Sequence, residues 1–227
     1  MPDPGDPNFY CYYQNPRPEM LRFVPQGVKS ILDVGCGEGF FGASLKQQGV
    51  REVWGIEATP KVAENARTRL DRVLVGRVED HLPTIPEKYF DCVIFNDVLE
   101  HLVDPWTVLS SAQRILAADG IVIASIPNIR HFPTLKDLIV GKEWRYQQWG
   151  VLDRTHLRFF TENSIRRLFA DCGYVLASMT GIEAGPLTWK FRLLNRVAFK
   201  AFDDCRYIQF ACVAGKRTTD HPGELSR

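Results

Sequence analysis

The chain has 227 residues, 45% of them hydrophobic and 24% charged, a composition that suits one globular domain with a well-buried core. Its 28 lysines and arginines against 27 aspartates and glutamates exclude the basic balance of a non-specific nucleic-acid binder. No apolar run approaches the roughly 20 residues of a membrane-spanning helix, and the first residues lack a basic-then-apolar leader, so a cytoplasmic location is expected.

Residues 1–28 open with prolines and aromatics, poor material for a regular element but suited to a lid draped over a surface. Ser30-Ile-Leu-Asp-Val34 predicts a strand, and the stripe through Phe41 and Leu45, ended by Gly49, predicts a helix. A second strand is expected over 52–56. Thr59 then caps and Pro60 opens a helix with Val62, Ala66 and Leu70 on one face. Strands near 72–76 and 91–96 follow, then a helix opened by Asp104 and Pro105 with Val108, Ala112, Ile115 and Leu116 inward, then a strand over 120–126. Residues 128–160 form a long aromatic and basic connection, expected as an insertion on the acceptor side. Thr161 caps a further helix whose Ile165, Leu168, Phe169 and Cys172 line one side until Gly173. Strands over 174–180 and 207–214 close the chain as an antiparallel pair, joined by a basic amphipathic helix over 187–202. That helix, with Lys190, Arg192, Arg196 and Lys200 among Leu193, Leu194, Val197 and Phe202, is expected to pack on the sheet, with weak contact to a membrane surface as the alternative.

This alternation predicts an α/β, Rossmann-like, doubly wound fold. Its seven-stranded sheet is mostly parallel with an antiparallel last strand, and a lid-like insertion follows the fifth strand. One domain is expected over 1–216, with a disordered tail at 217–227. The six cysteines show no Cys-x-x-Cys spacing, which points to free thiols in a reducing compartment and to no structural zinc.

The most informative stretch is Asp33-Val-Gly-Cys-Gly-Glu-Gly39, which follows the first strand and opens the first helix. Glycines 35, 37 and 39 permit positive φ and close approach of a ligand to backbone N–H groups. Glu57, at the end of the second strand, can accept from both ribose hydroxyls of an adenosine. A nicotinamide dinucleotide and S-adenosylmethionine share that logic. Asp33 separates them, because a carboxylate beside the loop repels a pyrophosphate and favours an ammonium or sulfonium.

These residues resemble the first motif of the class I S-adenosylmethionine-dependent methyltransferases, and Asn96-Asp-Val-Leu-Glu-His-Leu102 resembles the motif that ends the family's fourth strand. Val78-Glu-Asp-His81, Leu99-Glu-His101 and Asp104-Pro105 are similar to ubiquinone-pathway O-methyltransferases and to methyltransferases encoded beside bacterial polysaccharide glycosyltransferases. The second group is also resembled in Tyr12-Tyr-Gln-Asn-Pro-Arg-Pro-Glu19, Ser125-Ile-Pro-Asn128 and the run Leu152-Asp-Arg-Thr-His-Leu-Arg-Phe-Phe-Thr161. The resemblance implies S-adenosylmethionine as cofactor. It assigns Gly35, Cys36 and Gly37, with Gly39 of the same loop, to the methionine portion and Glu57 to the ribose. Val78 and Glu79 fall to the adenine edge and Asn96, followed by Asp97, to the ammonium. Tyr12, Tyr13 and Arg17 fold over the donor and exclude water.

Methyl transfer to an alcohol needs a base for the departing proton and no metal. His156 and His101 are the candidate catalytic residues, with a positioning role as the alternative for His101 and an ordinary loop histidine for His156. His131, Arg154 and Arg158 are candidates for binding the acceptor, the arginines suiting an anionic one. The aromatics Trp144, Tyr146, Trp149, Phe159 and Phe160 suit either a small core within the connection or stacking on carbohydrate. The expected function is methylation of a hydroxyl of a small molecule, with a sugar or glycan-related metabolite of polysaccharide biosynthesis as the expected acceptor. N-methylation of an amino sugar, a non-enzymatic adapter and a nicotinamide oxidoreductase are the alternatives. Nucleic acid is not an expected partner, since the chain lacks the Asn-Pro-Pro-Tyr and Pro-Cys motifs of base methylation.

Overall fold

A sheet covered on both faces needs side chains that are apolar in both directions, which is why the short apolar runs become its strands. The computed structural model describes residues 13–185 and 189–217. Cys11, Tyr12, Leu187 and the tail beyond Arg217 lie outside the described residues. The strands are β1 (Ser30–Val34), β2 (Glu52–Glu57), β3 (Arg72–Val75), β4 (Phe90–Asn96), β5 (Leu116–Pro127), β6 (Tyr174–Ala184) and β7 (Tyr207–Lys216). They form one sheet in the order β3, β2, β1, β4, β5, β7, β6. β1 pairs in parallel with β2 and β4, β2 with β3, and β4 with β5, whereas β7 runs antiparallel to both neighbours. The expected mostly parallel, seven-stranded α/β sheet is the one observed.

The helices are α1 (Pro18–Leu21), α2 (Phe40–Gln47), α3 (Pro60–Ala66), α4 (Val78–His81), α5 (Pro105–Ile115), α6 (Phe132–Ile139), α7 (Glu162–Asp171) and α8 (Trp189–Val197). Val108, Leu109 and Ala112 of α5 and Ile165, Leu168 and Phe169 of α7 build the core on one side of the sheet. Met20, Phe41, Leu45 and Ala66 build it on the other. The chain winds one way through β1, β2 and β3 and the other way through β4 and β5, so a crevice opens where β1 and β4 part at their carboxyl ends. Val34 pairs with both Ile56 and Phe95, which brings the loop after β1, Glu57 and Asn96 to that one edge.

Asp104 and Thr161 cap as expected. The Asp104 carboxylate accepts from Thr107 N at 3.0 Å, and Thr161 exchanges hydrogen bonds with Ser164. Thr59 departs from expectation: its side chain makes no cap, and its N–H donates instead to Glu57 Oε1 at 2.8 Å. α3 stops at Ala66, although Leu70 is still buried. β5 begins four residues before Gly120, because Leu116 pairs with Phe90 across a register shift.

The connection over 128–160 carries the unexpected helix α6, none of whose residues is buried. Within the connection Val151, Leu152 and His156 are buried, and the His156 ring meets Phe159 edge to face at 6.4 Å. Phe160 joins the main core, Trp144 meets Phe159 edge to face, and Tyr146 and Trp149 are exposed. α8 does not lie on the sheet as expected: Phe191 is buried, but Trp189, Leu193 and Val197 face outward.

Candidate active site

Three glycines take positive φ at the end of β1: Gly35 at +70°, Gly37 at +55° and Gly39 at +82°. The N–H groups of Gly35 and Cys36 donate to Ile56 O at 2.8 and 3.1 Å, which ties the loop to β2. Glu57 Oε2 accepts from Gly37 N at 3.0 Å, so the carboxylate expected at the ribose also fastens the loop. From above, Tyr13 O accepts from Glu38 N at 3.0 Å, and a Cβ on Gly37 would stand 2.7 Å from that carbonyl oxygen. Gly39 does not reach the cavity. It forms the N-terminal cap of α2 and lets it approach Ala66.

A cavity of about 460 Å³ opens over this loop, of a size that suits a small-molecule ligand. Tyr13, Asp33, Gly35, Cys36, Gly37, Glu57, Val78, Glu79, Asn96, Asp97 and His101 all line it, having been singled out from the sequence. Asn15, Phe41, Arg77, Val98, Leu102, Val103 and Thr155 also line it. None of them is among the site residues expected from the sequence, because these residue types are ordinary for loops and cores. Glu79 is held at the rim by Arg77 at 2.9 Å.

The floor of the cavity is acidic. Asp33 is buried, and burial first, then Glu57, raises its carboxyl to about 7, with Arg17 opposing. Burial likewise raises Glu57, against the backbone N–H groups of Thr59 and Gly37. Asp33 Oδ2 and both amide atoms of Asn96 are buried without a hydrogen-bond partner among the described residues. Buried polar atoms are rarely left so. An ammonium and a sulfonium would meet these groups favourably, and a pyrophosphate would not. The residues present therefore fit S-adenosylmethionine: buried carboxylates and an unsatisfied Asn96 amide face a cavity that suits a cationic ligand.

Arg17 closes one wall. Only 9% exposed, its guanidinium bonds Asp97 and reaches Ser125 Oγ at 3.1 Å and Gln209 Oε1 at 3.0 Å, while its Nε donates to Glu19 at 2.6 Å. Against the effect of burial, Asp97 and Glu19 hold the guanidinium above its usual pKa. Asp97 itself is at φ +53°, its N–H on Ser125 Oγ at 3.0 Å. The N-terminal segment is thus fastened across the end of β4, as a lid requires.

The two candidate catalytic histidines come together, their rings meeting edge to face at 4.7 Å. Only His101 lines the cavity. Its Nδ1 lies 3.2 Å from Thr155 O and 3.1 Å from Thr155 Oγ1; the carbonyl can only accept and the hydroxyl proton goes to Asp153, so Nδ1 carries the proton and Nε2 presents a lone pair. Thr155 is held in turn by Asp153 Oδ1 at 2.7 Å. Burial, then His156, lowers the pKa of His101. His156 is buried behind it, with Nδ1 on Val151 O at 3.1 Å and Nε2 3.9 Å from Glu100 Oε1. Burial lowers the pKa of His156 too. Glu100 was not marked by the sequence. Its carboxylate is 1% exposed, neither oxygen has a hydrogen-bond partner among the described residues, and burial, then Asp97, raises its pKa well above the usual range. One donor atom from each of Glu100, His101 and His156 lies within 4.8 Å of the others, close enough to hold a metal ion.

The residues expected to bind the acceptor are not brought into the cavity. Arg154 is exposed, Arg158 donates to Val103 O and lies over the Trp106 ring, and His131 sits half-buried ahead of α6. None of the three lines the cavity.

Residues 12–178 match the family model described as a methyltransferase domain. The chain is similar to a ubiquinone biosynthesis O-methyltransferase of Hydrogenovibrio crunogenus, 30% identical over 74% of this chain and 71% of that protein. A protein of the same description from Thiobacillus denitrificans is 29% identical, over 78% of this chain and 79% of its own. Among solved structures, a SAM-dependent methyltransferase from Archaeoglobus fulgidus superposes with a TM-score of 0.64 at 18% identity, covering 87% of this chain and 91% of that one. One from Mesorhizobium loti gives 0.61 at 16% identity, covering 88% and 96%. Loop, carboxylates, sheet order and relatives agree, and the chain belongs to the methyltransferase domain family as a class I S-adenosylmethionine-dependent methyltransferase.

Proposed function

We propose that the enzyme methylates a hydroxyl of a small molecule, with His101 as the general base. The observation that carries this reading is the position of His101: it lines the donor cavity with Nδ1 committed to Thr155, leaving Nε2 to accept a proton. Bound S-adenosylmethionine supplies an electrophilic methyl carbon on a sulfonium. The chain's own residues then orient, exclude water and remove the proton. Asp153 fixes Thr155, Thr155 fixes the His101 tautomer, and the lid anchored by Arg17 covers the donor. Glu79, Asn96 and Asp97 serve the donor; His156 stands behind His101 as a positioning residue rather than as the base.

The names of the relatives support oxygen as the accepting atom and a hydroxyl of a ubiquinone-type compound as the acceptor. A sugar or glycan-related acceptor is the second reading, supported by the exposed rings of Tyr146 and Trp149 on the connection. An anionic acceptor draws no support from Arg154 and Arg158, which point elsewhere. The test is S-adenosylhomocysteine formation against catechols and other phenols, sugars, nucleotide sugars and matched amines. Turnover of hydroxyl compounds, lowered about 10²–10⁴-fold in His101→Gln, is expected. Turnover of amines alone would overturn the assignment.

A further inference from the structure

β4 ends at Asn96, and the short turn Leu99–His101 follows it. The middle residue of that turn, Glu100, is the most buried acid among the described residues, and it does not line the cavity. It holds the segment over 155–158 in two ways. Its main-chain carbonyl accepts from Leu157 N at 2.8 Å and from Arg158 N at 3.0 Å. Its side chain points at the same segment, with Oε1 3.9 Å from His156 Nε2. That segment carries both contacts that orient His101: the Thr155 carbonyl on Nδ1, and the His156 ring standing edge to face against its own at 4.7 Å.

Hydrogen-bond chemistry decides what lies between Glu100 and His156. His156 Nδ1 sits 3.1 Å from Val151 O, which can only accept, so Nδ1 carries the hydrogen of the ring and Nε2 presents a lone pair. An ionised carboxylate also only accepts. Two buried acceptors facing each other repel, and both Glu100 oxygens would stay without a donor. One hydrogen on the carboxyl resolves both problems, because Glu100 then donates to Nε2 once the gap closes by about 1 Å to ordinary length. The charged groups facing Glu100 are Asp97, Asp153 and Arg17, two acids against one cation, which favours the neutral carboxyl. Placing the hydrogen on Nε2 instead would set an imidazolium against the ring that has to accept a proton.

We propose, on the reading of His101 as the base, that Glu100 is a positioning residue for the methyl transfer. Its neutral carboxyl donates to His156 Nε2 and locks the segment over 155–158, and through that segment it sets the tautomer and direction of His101.

The experiment joins infrared difference spectroscopy to kinetics on the full chain. Wild type minus Glu100→Gln at neutral pH should show the C=O stretch of a protonated carboxyl. Carboxylate bands in its place overturn the proposal. The band does not depend on turnover and should persist when both proteins also carry His101→Gln, which separates a failure of this inference from a failure of the base assignment. Glu100→Leu keeps the bulk but donates nothing, so kcat should fall about tenfold, the worth of one buried hydrogen bond, with affinity for S-adenosylhomocysteine within about twofold of wild type. Glu100→Gln, whose amide donates to Nε2 as the carboxyl does, should restore kcat to within about threefold of wild type. Equal losses in the two variants, or none in either, overturn the proposal. So does turnover that a chelator abolishes and a divalent cation restores, because a cation would then join Glu100 to the histidines in place of the hydrogen.

Discussion

Asp33→Asn should make the free enzyme more stable above neutral pH while weakening its hold on the methyl donor. Asp33 is buried, and its carboxyl is raised from 3.8 to about 7 by burial first and by Glu57 second. Between those values the folded chain binds a proton that the unfolded chain has released. Stability therefore falls as pH rises from about 4 to 7. A carboxyl displaced that far carries a burden on the order of 4 kcal/mol, fully present above about pH 8. An asparagine removes the charge but leaves a buried amide to satisfy, so a net gain of about 2 kcal/mol at about pH 8 is expected, vanishing near pH 4. In a chain of this size that is a rise in Tm of about 4–8 °C. The donor sees the other side of the same group. With a value near 7, about a tenth of Asp33 is ionised at about pH 6 and about nine-tenths at about pH 8, so affinity for S-adenosylmethionine should fall roughly tenfold from the higher pH to the lower. Calorimetric titration of wild type at both pH values should show that drop, and Asp33→Asn should bind weakly and equally at both. Equal stabilisation by the variant at pH 4 and pH 8, or undiminished donor affinity at pH 8, would refute the reasoning.

Removal of the base in His101→Gln should lower turnover by about 10²–10⁴ while donor affinity stays within about twofold. In wild type, kcat/KM should rise with pH as His101 loses its proton and level off below the ordinary histidine value, since burial holds its pKa down; the variant should lose that limb. Gly37→Ala combines φ +55° with a Cβ placed 2.7 Å from Tyr13 O. Urea unfolding should show a loss of about 2 kcal/mol, with weaker donor binding. Gly49→Ala, at φ +97° with nothing within 4 Å, should lose stability without changing donor affinity. Arg17→Met leaves Asp97, Ser125 and Gln209 without their shared cation, so a loss of about 3 kcal/mol is expected, with faster proteolysis of the N-terminal segment. A Tm within a degree of wild type would show that this ion pair does not hold the lid.

What was legible in the sequence was what the backbone requires locally. Gly35, Gly37 and Gly39 were visible because only glycine takes those φ values without strain, and Glu57 because the end of a second parallel strand lies beside the loop after the first. Asp104 and Thr161 were visible because an unsatisfied helix end selects its cap. Seven strands and their order of appearance followed from apolar runs that a two-sided sheet demands. Tertiary structure alone decided the rest. Periodicity gave α8 an apolar face but not its direction: Phe132 claims Phe191, and the stripe turns outward. Residue type marked both His101 and His156 as bases, yet only packing sets one at the cavity and the other behind it, 3.9 Å from the buried Glu100. Arg17 and Asp97 are 80 residues apart, and neither carries a local sign of the other. Local rules fix backbone conformation and burial preference, but a partner across the sheet is chosen only when the whole core closes.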